Sequence, residues 1–453
     1  MSHITQHSST VAQFLKIWNR ESVIREICFQ ETHNPDTNPH FREMRNLMNA
    51  LPTGRPVRKT FRNVIATMAI TSTFALAACS GSSDSASSSG GEEGGGFDEV
   101  TLSYSDLTSS TSGAGVAVQG WIDEIAEKSG DNVIIEPYWS SSLLTSADAL
   151  SGTGSGVSDF TYTVVTYQPQ ALPVTNWMNE QGSLPLDSYP QSQLQTVGVM
   201  NELFNTEDAI KEFESQGVKF LASTSVAGKY DLLCSKEVSD QTDLSGLRVR
   251  APGPVWAAEA EALGMTVVNV AQGEAYEALQ RGLVDCQIGA PFMYEDYGLN
   301  EVAKHYYPAG FSANMGLVLL MNLDRWESLS PETQELLQSS MQSYATARTQ
   351  ADIESHMKFM NRRDELGIIT HDASEMDEVL GKFQESQRES WIDHAPPGVT
   401  DPEATGEALS AAIESWADTV TEDVAPVAPG EVASESIDDF PAWQERLAET
   451  FNN

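Results

Sequence analysis

From Glu99 onward, hydrophobic and polar positions alternate in short runs of two kinds. "EVTLSYSD" (99–106), "NVIIEPYW" (132–139), "SDFTYTVVT" (158–166) and "GVKFLASTSV" (217–226) are rich in β-branched and aromatic residues and predict strands. Between them, "VAVQGWIDEIAEKSG" (116–130) puts Val116, Trp121, Ile122 and Ile125 on a rough helical face. Lys128 suits the end of its dipole, and Gly130 stops it. "TEDAIKEFESQ" (206–216) predicts a further helix. Strands alternating with helices are the pattern of an α/β domain with a largely parallel sheet.

The same pattern restarts at "YDLLCSKEV" (230–238). "GLRVRAPG" (246–253) reads as a strand, "PVWAAEAEALG" (254–264) as a helix opened by Pro254 and closed by Gly264, and "TVVNV" (266–270) as another strand. In "EAYEALQRGLVDCQIG" (274–289), Ala275, Ala278 and Leu279 form an apolar face. Gly282 caps the helix and turns the chain into a strand expected at the sheet edge. "GLVLLMN" (316–322) is a strand, after which the chain turns helical; Ser330, Pro331 and Glu332 predict the start of a helix of about 30 residues running along both halves.

The N-terminal part does not follow this plan. "RPVRKTFR" (55–62) is basic, "NVIATMAITSTFALAA" (63–78) is apolar and too short for a span of about 20 residues, and Cys79 follows at once. That order describes a secretory signal. "LAAC" (76–79) resembles the bacterial lipobox, which implies a lipid on Cys79, and the Ser/Gly-rich run 80–97 reads as a flexible tether. Residues 1–54 precede the signal without a clear apolar period and read as a mis-assigned leader.

Charge narrows the function. The chain carries 26 Lys+Arg against 65 Asp+Glu, a formal net charge of −39. Such a surface repels nucleic acid and anionic lipid, so an anion can bind only where a few cations are concentrated in one cleft. Of four cysteines, Cys28 and Cys79 belong to the N-terminal segments. Cys234 and Cys286 remain as candidates for one disulfide or as two buried thiols. Catalytic patterns are missing. His305, His356, His371 and His394 have no metal-ligand spacing, "SGTGSGV" (151–157) lacks the lysine of a phosphate loop and reads as a turn, and no nucleophile elbow occurs. No cofactor is expected.

"DLSGLRVRAPG", "AEALGMTVV", "EAYEALQRGLVDCQ" and "WESLSPETQELL", in this order, resemble the substrate-binding proteins of tripartite ATP-independent periplasmic (TRAP) transporters, over about 99–375. The resemblance implies a two-domain α/β fold of the periplasmic-binding-protein type (type II), with a cleft between domains and a long helix spanning both. The expected division is 98–226 with about 316–357 as domain I, and 227–315 with about 358–453 as domain II. It further implies a monomer, without catalysis, that captures an organic acid such as a dicarboxylate and delivers it to a membrane permease.

In that family the strand written here "RVRAP" carries the arginine that pairs with the ligand carboxylate, which matches Arg250. A guanidinium fork suits a carboxylate through two parallel hydrogen bonds. Arg248, two residues earlier, is the substitute. Lys229 matches a second cationic position and Gln287 the family's glutamine. Gly289 stands where an asparagine is common, which argues against a heavily hydroxylated ligand. Tyr167 and Thr163 fall on or after the strand facing the cleft, and Trp256, Phe292 and Trp177 are candidate walls. A ligand-presenting protein for a sensor, a secreted hydrolase and a purely structural lipoprotein are the competing readings.

Overall fold

The computed structural model describes residues 96–431 and 439–451. The expected leader, the signal with Cys79, and the tether up to residue 95 lie outside the described residues. The strands run β1 (Val100–Asp106), β2 (Val133–Tyr138), β3 (Phe160–Val164), β4 (Val218–Thr224), β5 (Tyr230–Cys234), β6 (Arg248–Arg250), β7 (Thr266–Val267), β8 (Cys286–Gly289), β9 (His305–Phe311), β10 (Leu317–Asn322) and β11 (Ile369–Thr370). They form two sheets, ordered β2-β1-β3-β10-β4 and β11-β9-β5-β8-β6-β7.

The first sheet is parallel only over β2-β1-β3; β10 runs antiparallel to both β3 and β4. The reason lies in the connections. The chain passes from β4 to β5 and from β9 back to β10 through short segments, 225–229 and 312–316, without a crossover helix. A strand entered so directly reverses direction. Most residues of these two crossings are buried, including Ser225, Val226, Ala227, Ser312, Asn314 and Met315.

In the second sheet β8 lies between β5 and β6, so the strand expected at the edge is central. It pairs parallel with β6 and antiparallel with β5. Cys234 and Cys286 are register partners across β5 and β8, and the structure joins them in a disulfide with 4.1 Å between their Cα atoms.

The expected single helix is two. Ser330 caps Pro331–Ser339 by accepting a hydrogen bond from the Thr333 amide, and Met341–Arg362 follows after Ser340. Ser340 Oγ donates back to the Leu337 carbonyl at 2.7 Å and accepts the Trp121 indole N–H at 2.9 Å. Such back-bonding bends helices. Met341–Arg362 packs on Gly113–Ser129 of the first lobe and on Pro291–Asp296 of the second, so it does span both.

The tail departs from the expected division. Ser374–Ser390 packs on β9 and on Pro254–Ala262 of the second lobe, but Pro402–Asp423 and Pro441–Phe451 return to Gln191–Leu203 of the first. Gly198 makes the return fit: a Cβ there would lie 2.2 Å from the Trp416 indole. Trp416 and Trp443 are fully buried and donate to Glu202 and to the Leu194 carbonyl, both at 2.8 Å. Nothing in the apolar periodicity of either helix announces which lobe receives it.

Candidate functional site

A cavity of about 1130 Å³ opens between the two sheets, walled by Tyr162, Val164, Thr166 and Tyr167 from the first lobe and by Arg250–Pro254, Gly289, Phe292 and Tyr297 from the second. Asn314 and Val226 of the two crossings line it, and the long helix Met341–Arg362 adds Arg348, Asp352 and Ser355.

Arg250 ends β6 where the chain turns through Pro252, Gly253 and Pro254 into the next helix. Its backbone is fixed beside Gln287 of β8, and its Nε donates to the Val270 carbonyl at 3.1 Å. That bond orients the guanidinium and leaves its two terminal nitrogens for the cavity. The side chain is 3% exposed, and no carboxylate pairs with it among the described residues. A buried cation held in place without an anion is a ready receptor for one.

Aromatic side chains frame it. Tyr230 lies against the Trp256 ring at 5.3 Å, and its hydroxyl accepts from Asn314 Nδ2 at 3.3 Å. Tyr297 is pushed up to about 12, chiefly by burial and then by Tyr167 and Asp296, with Arg250 acting in the opposite sense. The lobes touch at Thr166, whose Oγ1 reaches the Pro252 carbonyl at 3.5 Å.

Of the expected site residues, Arg250, Gly289, Tyr167 and Phe292 line this cavity. The others do not. Thr163 is buried on β3 with the opposite parity to Tyr162 and Val164, which do face the cavity. Trp256 is fully buried behind Tyr230 and donates to the Ser312 carbonyl at 2.7 Å. Gln287 is fully buried too; its Nε2 donates to Gln272 Oε1 at 3.1 Å, and it is Gln272 that lines the cavity.

Lys229 pairs with Asp187 and lines a separate cavity of about 380 Å³, together with Asp231, His356 and Asp377. Arg248 forms a two-point pair with Asp285, at 3.0 and 3.2 Å, which Lys236 joins at 2.8 Å. Burial alone would raise Asp285; the hydrogen bonds from Arg248 and Lys236 outweigh it and pull the carboxyl down to about 2. Trp177 is core, stacked on Trp391 at 3.9 Å.

The floor on the long helix was missed by sequence reasoning. Arg348 and Asp352 are four apart and share a helical face with Ser355, a spacing visible in "ARTQADIES". Arg348 Nη1 lies 3.0 Å from Asp106 Oδ2, and its guanidinium carbon sits 3.4 Å from the centre of the Tyr162 ring. Tyr104 donates its hydroxyl to the same Asp106 carboxylate.

Among the described residues no group of His, Cys, Asp and Glu could hold a metal ion, and no helix is long and apolar enough to cross a membrane.

Residues 104–395 match the bacterial extracellular solute-binding proteins of family 7. A monocarboxylate 2-oxoacid-binding periplasmic protein of Nostoc sp. is 25% identical over 308 residues, covering 67% of this chain and 78% of that protein. A solute-binding protein of Verminephrobacter eiseniae is 22% identical over 48% of this chain and 66% of its own length. Among solved structures, a TRAP periplasmic solute-binding protein of Bordetella bronchiseptica with bound mandelate superposes with a TM-score of 0.61 at 19% identity, covering 70% of this chain and 99% of that one. A Bordetella pertussis extracytoplasmic receptor binding pyroglutamic acid gives 0.60 at 15% identity, with 70% and 99% covered. The fold is that of solved TRAP periplasmic solute-binding proteins, and the family match extends over most of the described chain: the protein belongs to family 7 of the bacterial extracellular solute-binding proteins, which are binding proteins and not enzymes.

Proposed function

We propose that the protein captures an organic acid in the interlobe cleft through a carboxylate pair with Arg250 and hands it to a TRAP-type permease, tethered to the outer face of the cytoplasmic membrane by a lipid on Cys79. The observation that carries the reading is Arg250 itself. It is buried in the cleft, oriented by the Val270 carbonyl, and unmatched by any carboxylate among the described residues. Transfer of a free acid's carboxylate to this fork replaces water by two charge-assisted hydrogen bonds in a desolvated cleft. Tyr167, Phe292 and Gly289 supply apolar and close backbone walls. Organic acids are also what the solved neighbours are described as holding, among them mandelate and pyroglutamic acid.

The test is thermal unfolding of the wild type beside Arg250→Ala, against mono- and dicarboxylates, sugars and amino acids. A ligand at 100 times its Kd adds about 2.7 kcal/mol to the folded state. The expected outcome is that one class of acids raises the wild-type midpoint while Arg250→Ala ignores it. An equal response from the variant would remove Arg250 from the site.

A further inference from the structure

We propose that the ligand carries, besides the carboxylate taken by Arg250, a cationic nitrogen that pairs with Asp352, so that the cleft selects an amino acid or another zwitterionic acid. This rests on the carboxylate reading of Arg250 and narrows it.

Asp352 is 2% exposed and lines the cleft from the long helix, and its Oδ2 has no hydrogen-bond partner among the described residues. Its obvious partner is already taken. Arg348, one turn earlier, is paired through Nη1 with Asp106 at 3.0 Å and covered by the Tyr162 ring, while its Nε and Nη2 have no hydrogen-bond partner among the described residues. Asp296 lines the same cavity, while the nearby Lys358 pairs with Glu295 at 3.4 Å. Of the charged groups on the walls, Arg250 and the buried Asp352 and exposed Asp296 form no ion pair among the described residues, and only Asp352 has a buried oxygen without a partner.

An unpaired carboxylate in a buried place is costly, and a pairing ammonium relieves that cost by charge and by its N–H donors. A dicarboxylate would set its second charge against Asp296 and gain no ion pair from Asp352, which stays protonated beside an anion. A zwitterion matches both ends. The two poles lie within one field: the buried Tyr230 hydroxyl senses Arg250 and Asp352 with opposite signs.

Burial is the main cause raising Asp352 to about 8, with Arg348 opposing and with Asp296 and Asp106 adding to it. Tyr162, Tyr189 and Tyr230 are the phenols that feel its charge. A cationic ligand group arriving near pH 7 therefore displaces a proton from Asp352 to solvent.

The experiment is calorimetric titration of the purified full-length protein near pH 7, in two buffers of different ionisation heat. The panel sets each amino acid beside its hydroxy acid, its oxo acid and a dicarboxylate of equal length. The expected result is a zwitterion bound at least about tenfold tighter than its hydroxy and oxo counterparts, with proton release that differs in apparent heat between buffers. Asp352→Asn should erase that preference and the proton release while still binding the hydroxy acid, which also certifies that the variant is folded. Tighter binding of an oxo, hydroxy or dicarboxylic acid than of every zwitterion would overturn the proposal, as would Asp352→Asn keeping the preference. Arg250→Ala separates the two claims: loss of all acids alike upholds the carboxylate anchor whichever way the zwitterion comparison falls.

Discussion

At Gly253 the two lobes come as close as backbone and side chain allow. A Cβ there would lie 3.0 Å from Thr166 Cβ and 3.1 Å from the Trp256 ring, so the smallest side chain already crowds the interlobe contact beside Arg250. Gly253→Ala is expected to destabilise the protein by about 1–3 kcal/mol in urea unfolding, as overpacking does. Thr166→Ala in the same background should recover part of that loss. A neutral Gly253→Ala would mean that the lobes do not meet at this point in solution. At this scale the sequence was uneven. Arg250 was singled out because a motif named it, and it lies in the cleft with Gly289, Tyr167 and Phe292. Thr163 was misplaced by one step of strand parity: both faces of β3 are buried, and it is the face of Tyr162 and Val164, not the hydroxyl face of Thr161 and Thr163, that turns to the cleft. Gln287 and Trp256 were placed on the correct segments, but their side chains turn inward to Gln272 and to the Ser312 carbonyl. Such partners come from distant loops, and no local pattern encodes them.

Strands and helices were more legible. β1, β2, β4, β5 and β10 coincide with the predicted runs within a few residues, because each is an apolar segment bounded by turn-forming residues. β9 was not predicted: "HYYPAGF" contains Pro308 and Gly310, both unfavourable in strand interiors, yet Tyr306 and Tyr307 are fully buried in a strand paired with β5 and β11. The order of strands could not be read, because an antiparallel entry such as β10 is set by a short interlobe crossing and not by its own residues. The Cys234–Cys286 bond ties β5 to β8 at the centre of the second sheet, with 52 residues of sequence separation. On the chain-entropy account a loop of that size contributes about 4 kcal/mol. The double variant Cys234→Ala/Cys286→Ala, or reduction of the wild type, is expected to lower stability by about 2–4 kcal/mol in denaturant unfolding. No change on reduction would show that the bond does not form or does not matter to the sheet.

The whole molecule is strongly acidic, and several of its carboxyl groups are buried. Asp231 and Asp352 are raised to about 8 and Glu259 to about 7, each chiefly by burial. A carboxyl whose folded pKa lies above its unfolded one binds a proton on folding, so stability falls as pH rises from the unfolded value toward the folded one. The window for these three runs from about pH 4 to about pH 8. Asp285, pulled down to about 2, and Asp98 and Asp208, lowered by hydrogen bonds to backbone amides, act the other way and lose their contribution only in stronger acid. The formal charge of −39 adds self-repulsion that also grows with pH. The thermal midpoint is therefore expected to be higher near pH 5.5 than near pH 8.5 at fixed ionic strength. A steady rise across that range would mean that these groups are not buried as described.

The central claim concerns one guanidinium and one carboxylate. It is tested most directly by a crystal structure of the protein with the acid that most raises its thermal midpoint. The account predicts the ligand carboxylate on the two terminal nitrogens of Arg250, at about 2.7–2.9 Å, between Tyr167 and Phe292. A ligand seated instead in the side cavity beside Lys229, or with its carboxylate on Arg348 and Arg250 left empty, would contradict it.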